Sequence, residues 1–175
     1  TDTVSSAIAM ANLLNQIGVE ATPVIADELN KETKEILSIL DIEEPAVLEN
    51  ASGLNLFLVD HNAMSQAVKG IEEANIVGII DHHNISDVSS ADVVYGSYAP
   101  VGSTSMLIYS KYKELNIDVD EKMAALICSG LMSDTNNMKY DSVTEFDKQL
   151  FDELWPKTNL DHEEFNTRRL KAKID

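Results

Sequence analysis

Apolar residues recur at three- and four-residue steps along Val4, Ile8, Ala11, Leu14 and Ile17, which predicts a helix over residues 3–17 that Gly18 stops. A β-rich run at 21–26, with Pro23 early in it, reads as a strand. A helix over 31–40 follows, its apolar side formed by Leu29, Ile36, Leu37 and Leu40. Leu54-Asn55-Leu56-Phe57-Leu58-Val59 is a second strand, residues 63–74 a helix, and Asn75-Ile76-Val77-Gly78-Ile79-Ile80 a short, nearly continuous apolar strand. Val93–Ser97 reads as a further short strand. Three more helices are expected over 103–115, 120–132 and 143–155, with Pro156 ending the last pattern and a polar stretch running to Asp175.

Strands alternating with helices predict an α/β fold, a mostly parallel sheet with helices on both faces. Open sheets of that kind bind ligands outside the carboxyl ends of their strands. Two acid–histidine groups stand at such positions, Asp60-His61 after one strand and Asp81-His82-His83 after another.

Composition narrows the chemistry. Thirty acids against 13 bases give the 175 residues a net charge of −17, which argues against a basic face for duplex nucleic acid. No apolar run approaches the ~18 residues of a membrane span. The chain starts Thr1-Asp2-Thr3 without a basic leader, and its single cysteine, Cys128, allows no internal disulfide; together these point to a cytoplasmic setting. Acids gathered at one site imply a divalent cation, which an anionic substrate would need in order to approach.

Asp60, His82 and Asp134 each follow an apolar segment and Asp2 precedes one, so the sheet could bring all four to one edge. Mixed carboxylate and imidazole ligands suit Mn²⁺, Fe²⁺, Co²⁺ or Zn²⁺, and the scarcity of thiols argues against a Cys-rich zinc site. A carboxylate bridging two metals is the arrangement used for in-line attack on phosphorus. Each residue also has a plainer role: Asp2 as a helix cap, the strand-end acids as turn residues, Cys128 as core, and the hydroxyls of Ser103, Thr104 and Ser105 as caps rather than anion contacts. His162 reads as surface, His61 as at most a support behind a ligand, and Asp81 as the acid that orients a histidine or caps a turn.

Asp81-His82-His83, Val59-Asp60-His61-Asn62, Pro100-Val101-Gly102-Ser103-Thr104 and Ser133-Asp134-Thr135, in that setting, resemble the DHH phosphoesterase superfamily, and within it the manganese-dependent family II inorganic pyrophosphatases. Asn30-Lys31-Glu32-Thr33, Pro45 and the Gln66 to Glu73 segment look similar to the same group. The resemblance implies a Rossmann-like DHH N-terminal domain over residues 1–157, with 158–175 a linker toward a C-terminal domain that clamps the phosphates. It implies Asp2, Asp60, His82 and Asp134 as metal ligands, with Asp60 bridging, and His83 as the substrate-side catalytic histidine. The implied cofactor is Mn²⁺, with Co²⁺ or Mg²⁺ as alternatives and two ions in the intact enzyme. The implied reaction is hydrolysis of pyrophosphate to two phosphates by metal-bound hydroxide, in a protein that could be a homodimer.

The chain departs from that pattern in three ways. The family's first strand, with an earlier His and Asp, has no counterpart before Thr1, and its loss should leave an apolar slot in the sheet. The clamping Lys and Arg groups of the C-terminal domain are likewise outside the chain, so the 175 residues alone are expected to be inactive or nearly so. Asn84 stands where the family usually has Arg, and Asn136-Asn137-Met138-Lys139-Tyr140-Asp141 replaces a more apolar segment. That segment resembles the related exopolyphosphatases. The alternatives are therefore a polyphosphate substrate, another DHH phosphoesterase acting on an oligonucleotide or cyclic dinucleotide, or a non-catalytic metal-binding domain.

Overall fold

The computed structural model describes residues 1–61, 68–92 and 94–175. Helix α1 (Asp2–Gln16) begins the chain and is followed by β1 (Val24–Ile25), α2 (Lys31–Leu40), β2 (Ala46–Val47) and β3 (Asn55–Val59). A 3₁₀ turn (Ile71–Glu73), β4 (Asn75–Asp81), β5 (Tyr95–Tyr98), α3 (Thr104–Glu114) and α4 (Glu121–Asp134) come next. Helix α5 (Glu145–Leu154), a 3₁₀ turn (Trp155–Thr158) and α6 (His162–Ile174) complete the order.

Every strand pairing is parallel, and helices flank the sheets. The described strands form two sheets rather than the single one expected, β1 with β2 and β3-β4-β5. Strand β2 has no counterpart among the expected elements, because two residues carry no usable period. An apolar cavity of about 1190 Å³ lies between the sheets, lined by Val24 and Ile25, by Phe57 and Val59, and by Met10 and Leu14 on the underside of α1.

Strand β3 pairs with β4 from Asn55↔Asn75 to Val59↔Ile80, with an irregularity between Leu56 and Phe57. The Phe57 ring lies against Gly78, where an added Cβ would come within 2.4 Å of it. The two faces bury different sets. Ile80, Phe57 and Val59 join the core made by α1, α3 and α4, while Leu58, Ile76 and Ile79 pack with Ile71, Val68 and Val88 on the other side. Fully burying an Ile or Leu contributes about 1.5–3 kcal/mol, so residues such as Ile80, Ile108, Leu126 and Ile127, at 0–1% exposure, anchor the helices on the sheet.

Local chemistry explains the helix starts. Asn30, Ser103, Asp120 and Asp161 each accept a backbone N–H of the first turn, and Thr144 with Asp147 forms a reciprocal capping box. Four expectations change. Helix α4 continues through Asp134, so that acid sits in its last turn rather than after it. The polar tail from residue 162 is helix α6, packed on α2 with Arg169 buried against Glu32, while Phe165 packs on Trp155. The helix expected over 63–74 falls partly on residues 62–67, outside the described set; Ile71–Glu73 is a 3₁₀ turn. The strand expected from Val93 begins, among the described residues, at Tyr95.

Candidate metal centre

The carboxyl ends of β3 and β4 lie side by side, since the Asp60 N–H donates to the Ile80 carbonyl at 2.9 Å. Asp60 itself takes φ +59°, a left-handed conformation that Asp tolerates better than most side chains. Its carboxylate is held by two hydroxyls, Thr3 on Oδ2 at 2.7 Å and Thr104 on Oδ1 at 2.9 Å. Burial acts to raise its pKa, but the close approach of His82, the Thr3 hydrogen bond and the charge of both histidines outweigh it and hold the group below its ordinary value.

Asp2 does not cap its own helix. It is buried at the start of α1 and points across at α3, where Oδ2 accepts the Thr104 N–H at 2.9 Å and Oδ1 the Ser105 N–H at 3.0 Å. The N-terminus of α3 is a ready anion site, and this structure fills it with a side chain. Gly130 on α4 permits the approach, because any Cβ there would lie 2.7 Å from Asp2 Oδ1. Burial, then the nearby charges of Asp60 and Asp134, raise the pKa of Asp2 well above the usual carboxylate range.

His82 is aimed by its neighbours. Its Nδ1–H donates to the Val101 carbonyl at 2.8 Å, which directs Nε2 inward. Around Nε2 stand Asp134 Oδ2 at 3.2 Å, Asp60 Oδ1 at 3.3 Å and Asp2 Oδ2 at 3.6 Å. No partner among the described residues meets hydrogen-bond geometry, so Nε2 is buried, surrounded by carboxylates and without a hydrogen bond. Burial disfavours its charge, but Asp134, Asp60, the Val101 carbonyl and Asp2 outweigh that and push its pKa up to about 11. One imidazole nitrogen and three carboxylate oxygens, all within 4.8 Å of one another, form a donor set that suits a divalent cation such as Mn²⁺. The residues present fit the ion that the family resemblance implies.

Asp81 is fully buried, and its Oδ1 accepts the His82 N–H at 2.8 Å, the His83 N–H at 3.1 Å and His83 Nδ1–H at 2.6 Å. It thus both caps the turn and orients a histidine. His83 is half exposed, with Nδ1 3.5 Å from Asp60 Oδ1, and Asp60, His82 and His83 form a second group with metal-holding geometry. His61 lies close enough to sense Asp81 and Asp60, its pKa lowered chiefly by burial. The structure therefore brings together Asp2, Asp60, His82, His83 and Asp134. Cys128 is buried in the core, and burial pushes its thiol pKa up. His162 is not simple surface: it packs on Phe151 and Trp155, and its Nε2 meets Asn137 Oδ1 at 2.8 Å.

Several supporting residues carried no sequence signal of their role. Asp147, read from the sequence as part of a helix, accepts the Gly102 N–H at 2.8 Å and so pins the loop whose Val101 carbonyl aims His82. Glu32 accepts the hydroxyls of Thr1 and Ser133, the neighbours of Asp2 and Asp134. The Asn30-Lys31-Glu32-Thr33 run was the one hint. After α4, Asn136, Asn137 and Met138 all take left-handed φ of +49° to +70°, a tight turn beside Asp134.

Residues 1–131 match the family model described as the DHH family, N-terminal domain. The chain is 39% identical over 176 residues to the manganese-dependent inorganic pyrophosphatase of Methanothrix thermoacetophila, and 36% identical over 177 residues to that of Bacillus subtilis. Each alignment takes in 100% of this chain and 57% of the relative, so the chain spans little more than half the length of the curated relatives it matches. Among solved structures, a Methanococcus jannaschii protein assigned to the family II inorganic pyrophosphatases superposes with a TM-score of 0.89 at 30% identity, over 98% of this chain and 57% of the other. An exopolyphosphatase-related protein from Bacteroides fragilis superposes at 0.72 over 97% of this chain and 53% of the other, but at 16% identity it supports the fold alone.

Proposed function

The chain belongs to the DHH family, and from that premise we propose that the whole protein hydrolyses inorganic pyrophosphate to two phosphates with Mn²⁺ as its cofactor. The observation that carries this reading is His82 Nε2, buried among the oxygens of Asp2, Asp60 and Asp134 with no hydrogen bond to satisfy it. The names of the relatives at 36–39% identity supply the substrate and the metal.

Asp2, Asp60, His82 and Asp134 would hold one ion, with Asp60 the carboxylate placed to reach a second. When bound, Mn²⁺ lowers the pKa of water and neutralises charge on phosphoryl oxygens. The chain's own residues do the rest. Thr3 and Thr104 fix the Asp60 carboxylate, the α3 amides fix Asp2, and Val101 fixes the His82 tautomer, so little reorganisation accompanies binding. His83, with Nδ1 committed to Asp81, turns its other ring nitrogen to a phosphate oxygen or the leaving phosphate as hydrogen-bond and proton donor.

The residues gathered at the site are acids and histidines. A pyrophosphate anion therefore needs cationic groups from beyond this domain, and residues 158–175 are proposed as the link toward them. The 175-residue chain by itself is expected to release little phosphate. A cytoplasmic setting belongs to the same reading, supported by the lone buried cysteine. So does a homodimer, supported by exposed Tyr95 and Tyr98 on the end strand β5. No helix among the described residues is long and apolar enough to cross a membrane.

The test is phosphate release by the full-length protein with added Mn²⁺, comparing pyrophosphate, tripolyphosphate and a dinucleotide. Pyrophosphate should be turned over fastest. Preference for tripolyphosphate would move the assignment to an exopolyphosphatase, and Mn²⁺ binding without hydrolysis would leave a metal-binding domain.

A further inference from the structure

The largest fully buried side chain of the core is a cation. Arg169 on α6 is 0% exposed, and its Nη1 donates to Glu32 Oε2 on α2 at 2.6 Å. A buried ion pair is weak evidence for stability, because desolvating both charges costs several kcal/mol, and apolar replacements are often neutral or better. What the pair does with its remaining bonds is more informative.

Glu32 Oε1 accepts the Thr1 hydroxyl at 2.6 Å and the Ser133 hydroxyl at 2.7 Å. Thr1 immediately precedes Asp2, and Ser133 immediately precedes Asp134. A single carboxylate oxygen therefore bridges the start of α1 and the end of α4, the two helix ends that bring these acids to His82. Arg169 is aimed in turn by Asn166, whose Oδ1 accepts Nη2 at 2.6 Å and Nε at 3.1 Å. We propose that the Glu32–Arg169 pair is a positioning device for the metal centre, in which Glu32 clamps the neighbours of Asp2 and Asp134 and Arg169 couples that clamp to helix α6.

The electrostatics agree. Burial acts to raise the Glu32 pKa, but hydrogen bonds from Thr1, Ser133 and Arg169 outweigh it and hold the carboxyl below its ordinary value. An ionised Glu32 is the form that accepts all three donors. Thr1 and Ser133 meet through this carboxylate, and one turn further into each helix Ser5 Oγ and Ser129 Oγ lie 3.3 Å apart.

The inference rests on the proposed metal site and is tested apart from it. Mn²⁺ affinity is measured by isothermal titration in the full-length protein, with metal-free thermal unfolding alongside, for the native sequence and for Glu32→Gln, Ser133→Ala and Phe165→Ala. Glu32→Gln is expected to weaken Mn²⁺ by up to about tenfold, the low end of the effect of removing a direct partner of a ligand, because Glu32 acts through the residues beside Asp2 and Asp134. Ser133→Ala, which leaves the ion pair intact and so serves if Glu32→Gln fails to fold, should weaken it by a smaller factor. Phe165→Ala cuts the packing of α6 off the network, and should lower the unfolding temperature with Mn²⁺ affinity within twofold of native. Unchanged affinity in both clamp variants, or an equal loss in Phe165→Ala, overturns the proposal. Failure of the native protein to bind Mn²⁺ instead overturns the metal site itself.

Discussion

Gly130→Ala sets two effects of opposite sign against each other. In an ordinary helix interior the change stabilises by about 1 kcal/mol, since Gly is the costlier residue. Gly130 lies within α4, but where that helix meets α3 and the start of α1. An added Cβ would be 2.5 Å from Ser105 Oγ, 2.7 Å from Asp2 Oδ1 and 3.0 Å from Ser105 Cβ. Overpacking of that kind costs about 1–3 kcal/mol. Pushing the Asp2 carboxylate off the Thr104 and Ser105 amides also sacrifices charge-assisted hydrogen bonds contributing about 1.5–3 kcal/mol each when fully lost. The balance is a net destabilisation of roughly 1–3 kcal/mol, and a Mn²⁺ affinity lower by about tenfold or more. Adding Ser105→Ala removes the shortest contact but not the one on Asp2, so stability should recover in part while metal affinity stays low. Urea denaturation of the metal-free full-length protein and Mn²⁺ titration read both quantities, and the double-mutant cycle should show a coupling of at least about 1 kcal/mol. If Gly130→Ala is as stable as the native protein and binds Mn²⁺ equally well, helix propensity is the whole effect and the close approach of α4 to Asp2 is wrong.

His83→Gln should lower kcat on pyrophosphate by about 10²-fold or more while Mn²⁺ affinity changes only a few-fold; a large loss of affinity would reassign His83 as a ligand. Asp147→Ala strands the Gly102 N–H and the Thr144 N–H and hydroxyl, and should cost about 2–4 kcal/mol in denaturation together with a shift in the His82 ring ¹⁵N signals; a cost under about 0.5 kcal/mol contradicts the pinning of the loop. Glu32 has a folded pKa below its unfolded one, so its contribution to stability is complete above the unfolded value and disappears as pH falls through the folded value. Metal-free unfolding of Glu32→Gln should accordingly depend less steeply on pH below about 4.5 than that of the native protein, and parallel curves would contradict the assignment.

Much of the site was legible because strand ends announce themselves. An apolar run breaking into Asp60-His61 or Asp81-His82-His83 places polar groups at the carboxyl edge of a parallel sheet, and the pairing of β3 with β4 puts them side by side. Asp134 was legible as a candidate but its setting was not: it belongs to the last turn of α4, because helix ends depend on capping geometry more than on period. Asp2 looked like a cap and is one, but for α3, 102 residues further on. The polar tail hid its packing, since a helix that buries an arginine shows no apolar stripe to find.

By itself the sequence determined the alternation of strands and helices, the acids and histidines at the strand ends, and the family they resemble. These depend on period and on neighbours a few residues apart, which any stretch of chain carries with it. Only the tertiary structure decided that Asp2 is oriented by α3, that a loop pinned by Asp147 selects the His82 tautomer, and that Glu32 with Arg169 joins four helices behind the site. Such contacts depend on desolvation and on hydrogen-bond geometry between distant segments, and those quantities do not exist until the helices have packed.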